Sequence, residues 1–221
     1  MIKKIPLIGI YIILFQSCSI DTSRIAPGYV EAFQTIKDSL IGADNELVTA
    51  EIIERIPYAS SKLAIGKGAP GLIILESIND NKETWVSADG LFLVIEDGRV
   101  IKSAGLFNNL VSLKFADNDF KDLIVSRTSE KLIFYYSYDN PQLIDMRVEV
   151  ERRFITEEKV RLLSGEKQLS LIEEKITNDY IGWKELNKFW VDNEGFVWKS
   201  EQFISPKLPR FNIEVTKKPA K

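Results

Sequence analysis

The chain has 221 residues, of which 45% are hydrophobic and 28% charged, with one cysteine and no histidine. This composition is typical of one globular domain. The lack of histidine excludes Ser-His-Asp and Cys-His catalysis and histidine-ligated metals. The single cysteine excludes an internal disulfide and cysteine-rich metal clusters. A formal net charge of −3 gives no general attraction to nucleic acid, so we expect no nucleic-acid partner. We also expect no cofactor.

The chain begins with a short basic and apolar segment. Lys3 and Lys4 precede an almost wholly apolar run, Ile5–Phe15. A basic region followed by about a dozen apolar residues is typical of a secretory signal peptide, and it is too short to span a bilayer as a helix. We therefore predict a signal peptide over residues 1–17, whose removal leaves 27 basic and 32 acidic residues and a net charge of −5.

Cys18, the only cysteine, stands where this signal peptide would be cleaved. With Ser17 before it, the segment resembles a bacterial lipobox, in which the cysteine is acylated (with palmitate, for example) and becomes the mature N-terminus, although Phe15 and Gln16 depart from the usual pattern. The alternative is an ordinary signal peptide that contains a cysteine, but an unpaired thiol is a liability in an oxidising compartment. By resemblance to lipoprotein sorting, Ser19 favours the outer membrane, so we predict a lipid-anchored protein that faces the periplasm.

Helical patterns are confined to the beginning of the predicted mature chain. Residues 18–28 are polar and turn-forming, which predicts a lipidated tether. Tyr29–Ile41 has apolar residues at helical spacing and is predicted to be a helix. Thr49–Arg55 is predicted to add one or two turns, with Thr49 as the N-cap and Ile56-Pro57 at the end.

After this point the sequence is a series of short β segments separated by turn residues. Asp89-Gly90 and Asp97-Gly98 predict hairpin turns, because glycine accepts positive φ. Ile144–Phe154 alternates most clearly, which predicts a strand with one buried and one wet face. The buried face is predicted to contain Ile144, Met146, Val148, Val150 and Phe154. Roughly nine or ten strands are predicted, at Leu72–Ile78, Glu83–Ser87, Leu91–Glu96, Arg99–Ala104, Leu132–Tyr138, Ile144–Phe154, Gln168–Thr177, Trp183–Asp192, Phe196–Phe203 and Phe211–Thr216.

This succession of strands determines the predicted fold class. Because no helices are interleaved with the strands, a parallel βαβ sheet is disfavoured. We predict a single, mainly β domain over residues 29–221: an antiparallel sheet curled around the N-terminal helix, or closed as a partial barrel.

Carboxylates are the remaining groups for acid–base catalysis. Asp89, Glu96, Asp192 and Glu194 could in principle flank a sugar ring, as in a glycoside hydrolase. Three of them, however, lie in or beside predicted hairpin turns, where aspartate is favoured for backbone reasons. The acidic stretch 117–122 lacks the glycine and the distal glutamate of a calcium loop. We therefore predict neither a catalytic nor a metal site.

Aromatic residues are the remaining candidates for a functional surface. All four tryptophans lie in predicted strands, and Leu132–Tyr138 has aromatic side chains on both faces. Exposed tryptophan and tyrosine could stack on sugar rings or line a lipid-sized cavity; alternatively, they fill the core. Four are candidate glycan or ligand contacts: Trp85, Tyr136, Trp190 and Trp198.

Several segments, in their order and spacing, resemble the GfcB/YjbF family of group 4 capsule polysaccharide lipoproteins. They are Ile56–Ser60, Trp85–Asp89, Gly98–Leu110, Phe189–Asp192 and Val197–Gln202. The resemblance implies an outer-membrane lipoprotein encoded with capsule or exopolysaccharide functions, and a β-rich fold similar to the curled sheet of the lipoprotein-localisation factors LolA and LolB. It implies no catalytic residues, and the one residue with a transferred role is Cys18, the lipid attachment point.

Three functional hypotheses follow. The first is a non-enzymatic accessory of polysaccharide secretion, which acts through polysaccharide-export proteins or by holding a glycan, with the membrane as a further partner through the N-terminal lipid. The second is a carrier or acceptor of an acyl chain or lipidated protein in a half-barrel cavity, and the third is a carboxylate-dependent hydrolase. A cavity lined by Leu, Ile and Phe favours the carrier, whereas Trp and Tyr with nearby Asp or Asn favour glycan binding.

Overall fold

A computed structural model describes residues 48–115 and 120–220 of the chain. The predicted signal peptide, the tether with Cys18 and the predicted helix Tyr29–Ile41 lie outside these residues. No helix in the described ranges is both long and apolar enough to cross a membrane.

Two short helices occur in the described ranges. Helix α1 (Ala50–Arg55) confirms the prediction: the Thr49 hydroxyl accepts a hydrogen bond from the Ile52 N–H at 3.4 Å, and the helix ends at Ile56, whose backbone is extended. An extended conformation is the one that a following proline favours. Helix α2 (Phe120–Ser126) was not predicted; its seven residues are too few for a clear helical period.

The described residues form twelve strands. They are β1 (Ser60–Ile65), β2 (Gly71–Asn79), β3 (Lys82–Ser87), β4 (Phe92–Glu96), β5 (Arg99–Ala104), β6 (Leu110–Lys114), β7 (Ser129–Asp139), β8 (Gln142–Leu162), β9 (Gly165–Asn178), β10 (Trp183–Val191), β11 (Val197–Gln202) and β12 (Phe211–Lys217). The ten predicted strands are confirmed, whereas β1 and β6 were missed. β8 continues beyond its predicted end through a charged stretch that hides the alternation.

All pairings are antiparallel, in the single order β5-β4-β3-β2-β1-β12-β11-β10-β9-β8-β7-β6. The two edge strands of this order lie against each other, and the Leu110 N–H of β6 donates to the Ser103 hydroxyl of β5 at 2.9 Å. The sheet is therefore a nearly closed barrel, which confirms the predicted curled or partly closed antiparallel sheet.

Because neighbouring strands run in opposite directions, the connections alternate between two ends of the barrel. The β1–β2 connection and every second one after it lie at one end, called here the distal end. The β2–β3, β4–β5, β6–β7, β8–β9 and β10–β11 connections lie at the other end, together with the beginning of β1 and the end of β12. We call this the terminal end, since the chain enters and leaves the barrel there.

The alternation predicted for β8 is mostly correct and fails at one residue. Val148 and Val150 are 0% and 1% exposed, as predicted, but Ile144 is 74% exposed. The pairing of β7 with β8 shifts between Tyr136 and Tyr138, and Asp145 adopts a φ of +51°. This bulge places two β8 residues opposite one β7 residue and turns Ile144 outward.

The same face of β8 also contains a buried charge. Arg152 is 1% exposed, and its Nε donates to Glu174 Oε1 of β9 at 2.8 Å. Arg99 of β5 donates to both oxygens of the same carboxylate, at 2.5 and 2.8 Å. Glu174 itself is 0% exposed. Three strands are therefore joined by one buried ionic cluster, Arg99–Glu174–Arg152.

Aromatic rings surround this ionic cluster. The Arg99 guanidinium lies 4.9 Å from the ring centres of both Phe134 and Phe189, and the Arg152 guanidinium lies 5.0 Å from that of Phe120 in α2. Burial alone would raise the pKa of the Glu174 carboxyl, but the two guanidiniums outweigh it and hold this pKa below its usual value of 4.5. The carboxylate is thus ionised in the folded protein at neutral pH.

This lowered pKa predicts an acid-sensitive fold. A carboxyl with a lower pKa in the folded state contributes stability above its unfolded pKa, and that contribution is lost as the pH falls through the folded value. The contribution of Glu174 to the free energy of unfolding is expected to be constant from pH 7 to about 5 and to decline below the usual pKa of 4.5. Hydrogen bonds from Asn109 lower the pKa of Asp139 and act in the same direction. Urea unfolding between pH 3 and 7 measures this, and stability unchanged at pH 3 would contradict it.

Candidate functional site

A cavity of about 860 Å³ opens at the terminal end of the barrel. Its walls come from the β2–β3, β4–β5 and β10–β11 turns, from the beginning of α2 and from the residues that follow β12. Its volume lies within the range of small-molecule sites, about 300–1,000 Å³. We therefore take this cavity as the candidate functional site.

One wall of the cavity is acidic. It contains Asp80, Asn81 and Glu83 from the β2–β3 hairpin and Asp97 from the β4–β5 turn. The Asn81 amide donates to both Asp97 oxygens, at 3.2 and 3.4 Å, and so joins the two turns. Asp80 and Asp97 have φ values of +55° and +47°, a conformation that aspartate tolerates in turns. The turn geometry thus places carboxylates along the cavity edge.

Glu83 is a half-buried carboxyl group of this acidic wall. Its Oε2 accepts a hydrogen bond from the Trp85 indole N–H at 3.0 Å. Burial raises the pKa of Glu83, the Trp85 hydrogen bond lowers it and the nearby Asp97 charge raises it, so that the net shift is upward. A carboxyl group in such a position can accept or donate hydrogen bonds to ligand hydroxyl groups.

The facing wall is aromatic and basic. Phe196 and Trp198 form an edge-on pair with ring centres 5.0 Å apart. Lys218 Nζ lies 4.3 Å from the centre of the Phe196 ring, and Nζ of Lys167 in β9, which does not line the cavity, lies 3.9 Å from the centre of the Trp198 ring. Lys218 also lies 3.5 Å from Glu194. This wall combines apolar rings with ammonium groups that the rings attract.

Asp192 holds this wall in place. Its Oδ1 accepts the backbone N–H groups of Glu194 and Phe196, both at 2.9 Å, and its Oδ2 accepts the Trp198 indole N–H at 2.8 Å. The carboxylate thus stabilises the turn, as its position beside a predicted hairpin turn indicated.

Gly98 allows the two walls to approach each other. It has a φ of +78°, and a Cβ added there would lie 2.3 Å from Cβ of Val197 in β11. A side chain at this position would push the β4–β5 turn away from β11, and only glycine avoids both the clash and the strained backbone. The next residue, Arg99, is one of the two buried arginines of the ionic cluster.

The structure divides the four predicted contact residues into two groups. Trp198 lines the cavity, and so does Trp85, which is only 1% exposed and also belongs to the main core. Tyr136 is instead buried in the core, edge-on to Trp183 with ring centres 5.4 Å apart. Trp190 lies beneath the β8–β9 hairpin, where its indole N–H donates to Glu158 at 2.6 Å.

Sequence reasoning missed four cavity residues that belong to the two walls, namely Glu83, Asp97, Phe196 and Lys218. They come from three turns and the chain end, and no local motif connects them. The signal that could have found them is the parity of the hairpins: in an antiparallel barrel, every second turn lies at the same end.

The structure does not bring the candidate hydrolase carboxylates into one cleft. Asp89 accepts a hydrogen bond from the Ser87 hydroxyl in the β3–β4 turn at the distal end, whereas Asp192 and Glu194 lie at the terminal end. Glu96 ends β4, where it pairs in register with Arg99. The described part of the chain has no group of three or more acidic or cysteine side chains that could hold a metal ion.

Comparisons of the sequence with a family model and with curated proteins point to the same family. A family model described as "Group 4 capsule polysaccharide lipoprotein gfcB, YjbF" matches residues 33–216. The chain is 24% identical to an uncharacterized lipoprotein YjbF of Escherichia coli K12, over 91% of this chain and 92% of that protein. It is 23% identical to an uncharacterized lipoprotein GfcB of the same organism, over 77% and 81% of the two chains.

A solved structure shares the fold. The crystal structure of the hypothetical lipoprotein YmcC from Escherichia coli K12 superimposes with a TM-score of 0.68 at 22% identity, covering 86% of this chain and 96% of that one. This supports the barrel-like architecture described above.

Proposed function

Since the chain belongs to the family of group 4 capsule polysaccharide lipoproteins that includes GfcB and YjbF, we propose that it is a lipid-anchored outer-membrane protein and a non-enzymatic accessory in capsule or exopolysaccharide assembly or export. In this proposal the signal peptide, residues 1–17, is removed, Cys18 is acylated, and the domain faces the periplasm. The protein acts by holding a segment of glycan for the export proteins.

The observation behind this proposal is the lining of the cavity at the terminal end. The rings of Phe196 and Trp198 face Asp80 and Asp97 across the cavity, and this combination of rings and hydrogen-bonding groups suits a sugar. An acyl-chain carrier would need a continuous apolar lining, because burying charged groups against a hydrocarbon chain is costly. Both walls of this cavity contain ionisable groups, which favours a glycan over an acyl chain.

We expect the lipid anchor to be required for function. In a strain without this gene, surface polysaccharide is expected to fall several-fold. The wild-type copy is expected to restore it, whereas a Cys18→Ala copy, which cannot be acylated, is expected to leave the membrane fraction and to fail in rescue. Polysaccharide quantification with fractionation in high salt measures both effects.

Two matched variants separate anchoring from sorting. Ser19→Ala is expected to remain in the outer membrane and to rescue, while Ser19→Asp is expected to be retained at the inner membrane, since an acidic residue after the lipidated cysteine is the pattern that disfavours outer-membrane sorting. Unchanged polysaccharide in the deletion strain would refute the proposed function, and rescue by Cys18→Ala would refute the need for the anchor.

A further inference from the structure

The two walls of the cavity differ in charge, and this difference bears on which glycan the cavity accepts. The acidic wall, Asp80, Glu83 and Asp97, presents oxygen acceptors. The opposite wall presents Lys218 beside Phe196 and Trp198. A neutral ligand would have no use for this separation, whereas a ligand with an anionic group at one side would be oriented by it.

Lys218 of the basic wall is available for a ligand at low cost. Lys218 pairs with Glu194 at 3.5 Å, and the Glu194 side chain is 77% exposed. An ion pair of this length with an exposed partner contributes little to the stability of the protein. Lys218 can therefore exchange Glu194 for a ligand carboxylate with little loss of free energy.

The same rings disfavour a cationic sugar. The faces of Phe196 and Trp198 already have an ammonium group of the protein over them, at 4.3 and 3.9 Å. A ligand ammonium would therefore meet like charge at the position where cation–π attraction would otherwise hold it. On the acidic wall, Asp97 accepts hydrogen bonds from the Asn81 amide, and Glu83 accepts one from the Trp85 indole. Carboxylate oxygens in such positions suit ligand hydroxyl groups as further donors.

Building on the proposed function, we propose that the cavity binds a uronate-bearing segment of the polysaccharide. The sugar carboxylate pairs with Lys218, and the apolar C–H surface of the ring lies against the parts of the Phe196 and Trp198 rings that the two lysines leave uncovered. The hydroxyl groups of the sugar on the opposite side donate to Glu83 and Asp97. The cavity thereby selects for anionic sugars and fixes the direction in which the glycan lies.

The test uses the full-length lipoprotein in detergent and fragments of the strain's own extracted polysaccharide, either native or with their carboxyl groups chemically reduced to alcohols. Binding is followed by calorimetry and tryptophan fluorescence. Native fragments are expected to bind about tenfold tighter than reduced ones, since a charge-assisted hydrogen bond is worth roughly one such factor. The difference is expected to shrink as salt is raised.

Three lysine variants make the assignment specific. Lys218→Gln is expected to remove the preference for native fragments, and Lys218→Arg to retain it. Lys207→Gln, in the exposed β11–β12 connection at the distal end, is the matched control and is expected to change nothing. Thermal melting checks that all three variants fold.

Two outcomes would overturn this inference: equal affinity for native and reduced fragments, including no binding of either, or a preference that survives in Lys218→Gln. The proposed function is tested independently of the anionic site. If the deletion strain loses polysaccharide but the purified protein shows no preference, the accessory function stands and the anionic site is wrong. If the preference is seen but the deletion leaves polysaccharide unchanged, the site stands and the accessory function is wrong.

Discussion

Replacing Glu174 with glutamine is expected to lower the free energy of unfolding by about 3–5 kcal/mol at pH 7. The carboxylate is fully buried and accepts hydrogen bonds from Arg99 and Arg152, which are both 1% exposed. Glutamine has nearly the same shape but no charge, and its amide N–H₂ group would point at guanidinium donors. Two buried arginines would then share a low-dielectric site without the Glu174 anion, although Arg152 would keep its ion pair with Glu130 at 3.0 Å.

The neighbouring residue provides the matched control. Glu173 lies in the same strand on the opposite face, where its side chain is 13% exposed and pairs with Arg153 at 2.9 Å and with Lys188 at 3.7 Å. Because both cations reach solvent, at 57% and 33% exposure, Glu173→Gln is expected to cost about 1 kcal/mol. Urea denaturation of both variants measures the difference. Equal losses would show that the buried cluster contributes no more than a surface ion pair.

The ionic cluster also shows where sequence reasoning ends. The alternation in β8 predicts Val148, Val150 and Phe154 on the inner face, and Arg152 falls on that face by the same period. Its partners cannot be read from any local pattern, because Glu174 and Arg99 are 75 residues apart and meet only when the barrel closes. The predicted strands define the sheet, but the charge inside it depends on the closed topology.

The candidate site was only partly predictable for a related reason. Without β6, a strand of only five residues, the connections after β5 change ends, and the β10–β11 turn would be placed opposite the β4–β5 turn. Trp85 and Trp198 could be nominated from their chemistry alone. Their position in one cavity with Glu83 and Lys218 depends on the number of strands between them. The sequence pattern predicted ten strands, two fewer than the structure has.

Replacing Val148 with aspartate is expected to prevent folding or to cost at least about 3 kcal/mol of stability. Val148 is 0% exposed, belongs to the main core and lies directly opposite Phe134 in the β7–β8 register. A carboxylate at this position would have no partner in an apolar environment. Soluble yield, circular dichroism and the melting temperature measure the effect.

Ile144→Asp is the matched control, since the alternation of the sequence places both residues on one face whereas the structure separates them. The bulge at Asp145 turns Ile144 outward, where it is 74% exposed. A charge there meets water, so the change in stability is expected to stay within about 0.5 kcal/mol. If Ile144→Asp were as damaging as Val148→Asp, the strand would have no bulge and Ile144 would face the core. Tolerance of Ile144→Asp alone establishes that the bulge, rather than the period of the sequence, decides which side chains fill the barrel at its distal end.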